Sequence, residues 1–580
     1  IINIVKKIIT FILNHYVFRK LRNFLLSYHA VTQGIEFLRQ ERIEESIGQL
    51  KKAIQFNPKN SRAYYSLGWI YIKQSLYKEA IEEYKKIIKL NPNNYKAHYG
   101  LGWCYAKIDM LDKAINEYQK ALSINWRDDN IRYSLANAYS DKGMIDEAIC
   151  EYQRIIRKSP HFVDAYVNLG YLFAKKGMLD EAISKYQKAL SMGTNNELVH
   201  CSLGWVYKEK GLMEEAIMEY QKAIDINPNY ANSYYELGKI YITKGVYDES
   251  IEKFKRALSI NPNNVEILTN IGICYWNKGM YDEAITMEKK VIELMPNDAK
   301  GYYNLGVSYH DKGMLNDAIE QYKKALEINP KNEDALIRLG NAYDEKGMLD
   351  DAINEYQKAL RINPNNAEYY YLCGLVYSKK DMLDEGIEEY QRVIEIDNEH
   401  INALNNLGLL YHKKGKLDEA IEIYQKGISI APNDEYLHYN LGRVYAEKEM
   451  LDEAMKEYQR TIEINPNDGY AHSNLGIVYV NKGMLDKGIY EHHQAVKLYP
   501  NDALCHSNLG DAYERKGMLD EAISEFEKAA KLDPNHPDIL YNLGDAYKQK
   551  NMRSKAIEFF KRAAELGDKE SKEEFNKLQS

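Results

Sequence analysis

Between Ala299 and Asn332 the apolar residues recur at helical spacing in two short runs. Leu305, Gly306 and Tyr309 share one face at i, i+1 and i+4; Ala318, Ile319, Tyr322, Ala325 and Leu326 share another. The pattern predicts two amphipathic helices. Lys312-Gly313-Met314 separates them, and glycine closes a helix in the left-handed conformation without a steric penalty. Asn329-Pro330 ends the pair, because the residue before a proline is pushed out of helical geometry. Such a hairpin cannot bury both apolar faces by itself and needs neighbours.

The neighbours are copies of it. Steps of 34 residues forward from Gly306 meet Gly340, Gly374, Gly408, Gly442, Gly476, Gly510 and Gly544; steps back meet Gly272, Gly238, Gly204, Gly170, Ala136, Gly102, Gly68 and Gly34. Sixteen repeats without insertion or deletion cover residues 27–570, and 12 of the 13 prolines fall at repeat position 32, with only Pro537 out of register. A length of 580 residues would suggest several domains, but an unbroken repeat favours a single all-α solenoid in which each repeat packs on the next. The first repeat is degenerate, with Gln33, Ser46 and Leu50 in place of the usual Leu, Ala and Tyr, as expected of a terminal repeat. Position 20 is always small: Ala in 12 repeats, otherwise Ser46, Ser250, Gly386 or Gly488. The two helices of a repeat are expected to cross closely there. Asp112, Asp146, Asp180, Asp350 and Asp520 stand just ahead of it, suiting a helix N-terminus.

Composition changes this picture little. The 50 tyrosines follow the repeat: 14 at position 11 and 10 at position 24, both core positions. The net charge of −8 comes from interleaved Lys and Glu, which argues against nucleic acid as the main partner. The six cysteines occupy five different repeat positions without a C-x-x-C pair, so buried thiols in a reducing, intracellular compartment are expected rather than disulfides or zinc. No cofactor and no enzymatic activity are expected: the chain has no phosphate loop, no H-E-x-x-H and no nucleophile elbow. In Glu491-His492-His493, the one His pair, His492 takes the core Tyr position and is expected to be structural.

The ends differ from the array. Residues 1–26 carry Lys6, Lys7, Arg19, Lys20 and Arg22 and no acid, with Asn3, Lys7, Thr10 and Asn14 on one helical face. The apolar run is broken at Lys6-Lys7, too short to span a bilayer. This basic amphipathic helix is expected to cap the first repeat, to contact a membrane surface or a partner, or to be the remnant of a targeting segment. Ile1 is not an initiator Met, which leaves open whether the N-terminus is native or processed. Residues 571–580 are polar apart from Phe575 and Leu578 and are expected to form a solvating last helix.

The pattern L-G-x-x-Y…K-G-M-L-D-E-A-I-x-E-Y-Q-K-A-L-x-I-N-P-N, as in Leu169–Tyr186 and Leu339–Asn365, resembles the tetratricopeptide repeat family over about 94 % of the chain. The resemblance implies a right-handed superhelix of antiparallel helix pairs whose first helices line a concave groove for peptides or protein partners. It implies a class of function, not a partner. It also implies that positions 2, 5, 6, 9, 12 and 13 point inward. Position 6 holds Asn168, Asn270, Asn304, Asn406, Asn440, Asn474, Asn508 and Asn542, similar to the asparagine ladder in the repeats of O-linked N-acetylglucosamine transferase, although no catalytic domain flanks the array. An amide carries a donor and an acceptor and so can pair with a peptide backbone; the plainer alternative is that Asn merely tolerates solvent there. Positions 5 and 9 hold Tyr65, Trp69, Tyr99, Trp103, Tyr133, Tyr171 and Trp205 in the N-terminal repeats, either as partner anchors or packed on one another. The Lys-and-Asn clamp of chaperone-binding members is absent, since position 5 is never Lys. The expected function is a protein-interaction scaffold that organises a multi-subunit complex, with self-association through open solenoid ends as a further possibility. The alternative is a substrate-recognition or regulatory module for an enzyme on another chain.

Overall fold

The computed structural model describes residues 2–579, and the side chains of Ile2, Asn3 and Thr10 lie outside that description. Of the polar face expected at Asn3, Lys7, Thr10 and Asn14, only Lys7 and Asn14 are therefore described, and both are exposed. Among the described residues there are 33 α-helices and no strand, an all-α array of helix pairs. The chain divides into two compact bodies, Ile1–Met280 and Tyr281–Ser580.

The N-terminal body opens with one helix, Ile2–Arg39, so the boundary expected at residue 26 falls inside a continuous helix. Its character changes there all the same. Ser27, Ala30 and Val31 are buried, whereas the large apolar side chains from Ile4 to Leu25 stand in solvent, Phe11 at 70 % and Phe18 at 72 %. Helix pairs then follow in register up to Val265–Asn277. The C-terminal body begins with Tyr281–Leu294, continues in pairs such as Ala299–Asp311 with Leu315–Ile328, and ends with Lys569–Gln579. In that last helix Phe575 and Leu578 pack on the cluster of Phe526, Leu540, Leu543 and Phe560.

The same local rules build both bodies. In most repeats the first helix is capped by the position-34 side chain ahead of it: Asn60 accepts from the Ala63 amide at 3.2 Å, and Asn332 from that of Ala335 at 3.2 Å, whereas Phe162, Tyr230 and His536 give no such bond. The aspartates ahead of position 20 are not caps. They lie in the first turn of the second helix, whose cap residue (Met110 in one repeat) has no capping side chain. There they face the positive end of the helix dipole and reach a lysine 30 residues on, as in Lys142–Asp112 at 2.5 Å and Lys176–Asp146 at 2.6 Å. Glycine at position 8 makes room for the position-24 ring, since a Cβ on Gly340 would lie 2.3 Å from Tyr356 Cε1; Ala136 is the one larger residue at this position, above Tyr152. Small residues at position 20 mark the helix crossing, and there Ser46 and Ser250 donate to the carbonyls of Gly34 and Gly238. Gly386 and Gly488 leave no hole, because Leu410 and Val480 fill the space a Cβ would take. The turn needs a positive φ, supplied by glycine in most repeats, as by Gly143 and Gly313, and by Glu41, Ser75, Asp109, Asp381, Glu449 and Asn551 where glycine is missing.

Within each body the first helices also touch one another, as Ser61–Lys73 touches Tyr95–Lys107, and Glu435–Glu447 touches Gly469–Asn481. Contacts of this extent do not link successive second helices among the described residues. The first helices therefore form the tighter face of each body, and the candidate site residues lie on it.

Candidate functional site

Each position-24 ring lies beneath this face, and the side chains of positions 5, 6 and 9 stand over it. In the N-terminal body the layer above is aromatic. Tyr65 packs edge-on against Tyr84 with ring centres 5.9 Å apart, and Tyr99 and Tyr133 meet Tyr118 and Tyr152 at 5.8 Å. Tyr65, Tyr99 and Tyr133 line one cavity of about 340 Å³ with Lys96, Asp128 and Asn130. Tyr171 and Trp205 line a second, of about 360 Å³. Trp69 and Trp103 join neither. Trp69 carries the Lys73 ammonium over its ring at 5.2 Å, and Trp103 packs edge-on against Tyr77. The seven aromatic candidates thus form a group of three, a group of two and two that stand apart.

The position-6 amides are occupied differently. Asn406 donates to the hydroxyls of Tyr371 and Tyr390 at 3.4 and 3.3 Å. Asn440 donates to Asn405 Oδ1 at 3.0 Å, Asn474 to the Tyr439 hydroxyl at 3.2 Å, and Asn508 to Ser473 Oγ at 3.0 Å. In the N-terminal body Asn168 donates to Tyr133 and Tyr152 at 3.1 and 3.0 Å. In these five repeats the NH₂ group reaches position 5 of the preceding repeat, 35 residues back. It bolts neighbouring first helices together, which leaves the carbonyl as the atom with which these side chains can meet a ligand. Asn270 donates to the Glu266 carbonyl of its own helix at 2.9 Å. Asn304 lines an open cavity of about 750 Å³ with Asp298, Tyr303, Glu333 and Tyr369. Asn542 makes no hydrogen bond among the described residues.

Three other recurring contacts join the elements. Gln at position 25 donates to the position-11 tyrosine of the next repeat, as Gln119 to Tyr139 and Gln459 to Tyr479, both at 2.8 Å. A buried ladder of imidazoles joins position 4 to a glutamate at position 23: His98 to Glu117 at 2.6 Å, His472 to Glu491 at 2.6 Å and His506 to Glu525 at 2.7 Å. Burial opposes the charge on His472, but the bond to Glu491 outweighs it and its pKa is raised. His310 and His412 each reach a glutamate 35 residues on, Glu345 at 3.1 Å and Glu447 at 2.7 Å. Recurrence of His and of the Y-Q pair at fixed repeat positions is the sequence signal that could have found these contacts.

Among the described residues no group of three His, Cys, Asp or Glu side chains is placed to hold a metal ion. Glu491, His492 and His493 diverge: Glu491 turns to His472, His492 is buried, and His493 bonds the Tyr513 hydroxyl at 2.7 Å. Five cysteines are buried and Cys150 is exposed, all of them free; burial pushes the Cys104 thiol up to about 12 and keeps it neutral. No described helix is long and apolar enough to cross a membrane. Half-exposed rings flank two cavities in residues 65–236, and hydrogen-bonded amides recur in residues 406–508.

Comparisons with known proteins agree with the repeat. A TPR repeat profile matches residues 34–75, 206–245, 238–279, 306–347, 340–381, 382–415, 408–449, 442–483 and 515–551. Further tetratricopeptide repeat profiles match 61–94, 83–116, 133–197, 265–298 and 537–566. No curated protein sequence matches the chain. Among solved structures, the MamA protein is 32 % identical over 29 % of this chain and 92 % of its own, with a TM-score of 0.28. YrrB, described as a TPR protein with an unusual peptide-binding site, is 29 % identical over 32 % of this chain and 95 % of its own, with a TM-score of 0.29. The APC/C hetero-tetramer Cut9–Hcn1 is 16 % identical over 84 % of this chain and 96 % of its own, with a TM-score of 0.32. The profile matches alone span more than half of the sequence, and the chain belongs to the tetratricopeptide repeat family.

Proposed function

We propose that this protein is an interaction scaffold that binds segments of partner proteins along the first-helix faces and holds them in a multi-subunit assembly. Tetratricopeptide repeat proteins generally mediate protein–protein interactions and complex assembly, and an array made of these repeats alone is typically non-catalytic. The observation that carries the finer reading is the contrast along the face: half-exposed rings flanking cavities in residues 65–236, hydrogen-bonded amides in residues 406–508. One short peptide has no use for two recognition chemistries, whereas several linked contacts raise the effective concentration of each partner segment for the next. The exposed apolar and basic stretch of the first helix, from Ile4 to Leu25, supplies another attachment surface.

The test is affinity purification of the full chain with quantitative mass spectrometry, repeated for Trp205→Ala and for Asn406→Ala with Asn474→Ala. A scaffold retains a stoichiometric set of subunits, and each variant sheds a different subset. Loss of the same single protein from every variant leaves a simple peptide adaptor and removes the assembly reading.

A further inference from the structure

We propose that the cavity between Tyr171 and Trp205 is an anchor pocket for one uncharged aromatic side chain with a hydrogen-bonding tip, a tyrosine or tryptophan carried by an extended segment of a partner protein. The proposal rests on the partner-binding reading of the first-helix face and names the chemistry that one part of it selects.

The cavity, about 360 Å³, is at the small end of ligand sites, which run from about 300 to 1,000 Å³. It has room for one ring. Repeats 5, 6 and 7 build it. Tyr171, Leu198 and Trp205 form its rim at 55, 54 and 40 % exposure, so an incoming ring covers apolar surface that now faces water. Tyr186 and Tyr220, the buried position-24 rings, also line it.

The Tyr220 hydroxyl is buried and has no hydrogen-bond partner. Elsewhere in the same row this hydroxyl is met from position 12, by Ser378 at Tyr390 and His310 at Tyr322, both at 3.4 Å, where repeat 6 has Lys208 turned to Glu236, and from two further places. One is Asn at position 9, as in Tyr356 donating to Asn341 at 2.7 Å. The other is Asn at position 6 of the next repeat, as in Asn168 donating to Tyr152 at 3.0 Å. Repeat 6 has lost both. Trp205 takes position 9, and the next position 6 is Glu236, whose carboxylate is held by Lys208 at 2.6 Å. Both replacements line the cavity, and neither supplies the tyrosine with a partner. A buried polar group left without a partner is unfavourable, and a ligand that supplies one restores it.

Charge decides which ring tip fits. Glu236 is neutralised by Lys208, with Lys239 at 3.8 Å, and Lys175 lies at the cavity edge. Cys201 accepts from Asn232 at 3.2 Å, and burial keeps its thiol neutral. Burial likewise holds the Tyr220 hydroxyl protonated. No uncompensated negative charge remains to select a cation, despite the surrounding rings. The pocket selects an apolar ring whose tip accepts from, or donates to, Tyr220.

The test uses the full chain and ligand-observed saturation-transfer NMR with four probes: N-acetyl-tyrosinamide, N-acetyl-tryptophanamide, N-acetyl-phenylalaninamide and N-acetyl-lysinamide. The tyrosine and tryptophan probes bind, the phenylalanine probe binds about tenfold more weakly, and the lysine probe does not bind. Tyr220→Phe abolishes the preference for tyrosine over phenylalanine, and Trp205→Ala weakens both by about thirtyfold. Tyr424→Phe, which removes another unpartnered hydroxyl of the row, changes neither. A preference that survives Tyr220→Phe, or affinity that survives Trp205→Ala, overturns the proposal. Selection of random peptides on the full chain separates it from the reading beneath it. Selected peptides that carry Tyr or Trp and compete with N-acetyl-tyrosinamide support the anchor pocket. Peptides that bind without competing overturn the pocket and leave partner binding intact. An absence of binding peptides, with the probe still bound, overturns the partner as the source of the ring.

Discussion

The two bodies are built from the same repeat with the same core positions, yet residues 65–236 and 406–508 treat the first-helix face differently. In residues 2–280 the face carries rings at about half exposure: Tyr171 at 55 % and Trp205 at 40 %. In residues 406–508 consecutive asparagines stand on the face and are spent on neighbouring side chains: Asn440 is buried and bonded to Asn405, and Asn406, Asn474 and Asn508 each reach back one repeat. The difference shows that positions 5, 6 and 9 are free to vary once positions 8, 20 and 24 have fixed how helices cross. A ring there leaves apolar surface for a partner. An amide there ties the array to itself.

The largest expected effect tests whether the core is as uniform as this contrast requires. Tyr118→Ala and Tyr458→Ala remove equivalent position-24 rings, each 2 % exposed, from the two bodies. Each loses about 3–5 kcal/mol of local stability, read by hydrogen exchange in its own helix pair. Losses that differ by more than about 2 kcal/mol break the comparison, because the faces would then no longer be the main difference.

The second effect is confined to the C-terminal body, where two repeats put an ionisable group in the ring's place. Burial depresses the His492 pKa from 6.5 to about 4. The unfolded chain binds the extra proton between these values, so stability is lost as pH falls from 6.5 to 4, by up to about 3 kcal/mol. Burial pushes the Glu288 carboxyl from 4.5 to about 8. There the folded chain holds the proton, so stability falls as pH rises from 4.5 to 8. His492→Tyr flattens the acid limb and Glu288→Gln the alkaline limb of a urea-denaturation profile against pH. A profile that the variants leave unchanged removes both groups as its cause.

The smallest effect separates the faces directly. Asn440→Ala costs about 1–2 kcal/mol, since it breaks a buried inter-repeat hydrogen bond. Trp205→Ala, at a half-exposed rim, costs less than about 0.5 kcal/mol. Chemical denaturation of both variants checks the order, and a reversed order would make the rings structural and the amides free.

Much of the fold was legible in the chain. The 34-residue period, the helix pairs, the turn glycines and the buried tyrosines depend on neighbours a few residues apart or on strict recurrence, and both are written along the sequence. The asparagines could be placed on the first-helix face but not in their bonds, because their partners lie 35 residues away, on the preceding repeat. Gly386 is simply a small residue by its pattern, and only the packing places Leu410 in the space it leaves. Glu288 stands at a position whose pattern calls for tyrosine, and only the packing around it shows that the carboxyl is buried. Likewise the four aromatic candidates at position 9 were equivalent by repeat position, and neighbouring side chains divided them into Tyr171 and Trp205 at a cavity and Trp69 and Trp103 apart from it. Local spacing determines which face a residue occupies; what it touches there is decided by the side chains of the next repeat, which no pattern within one repeat contains.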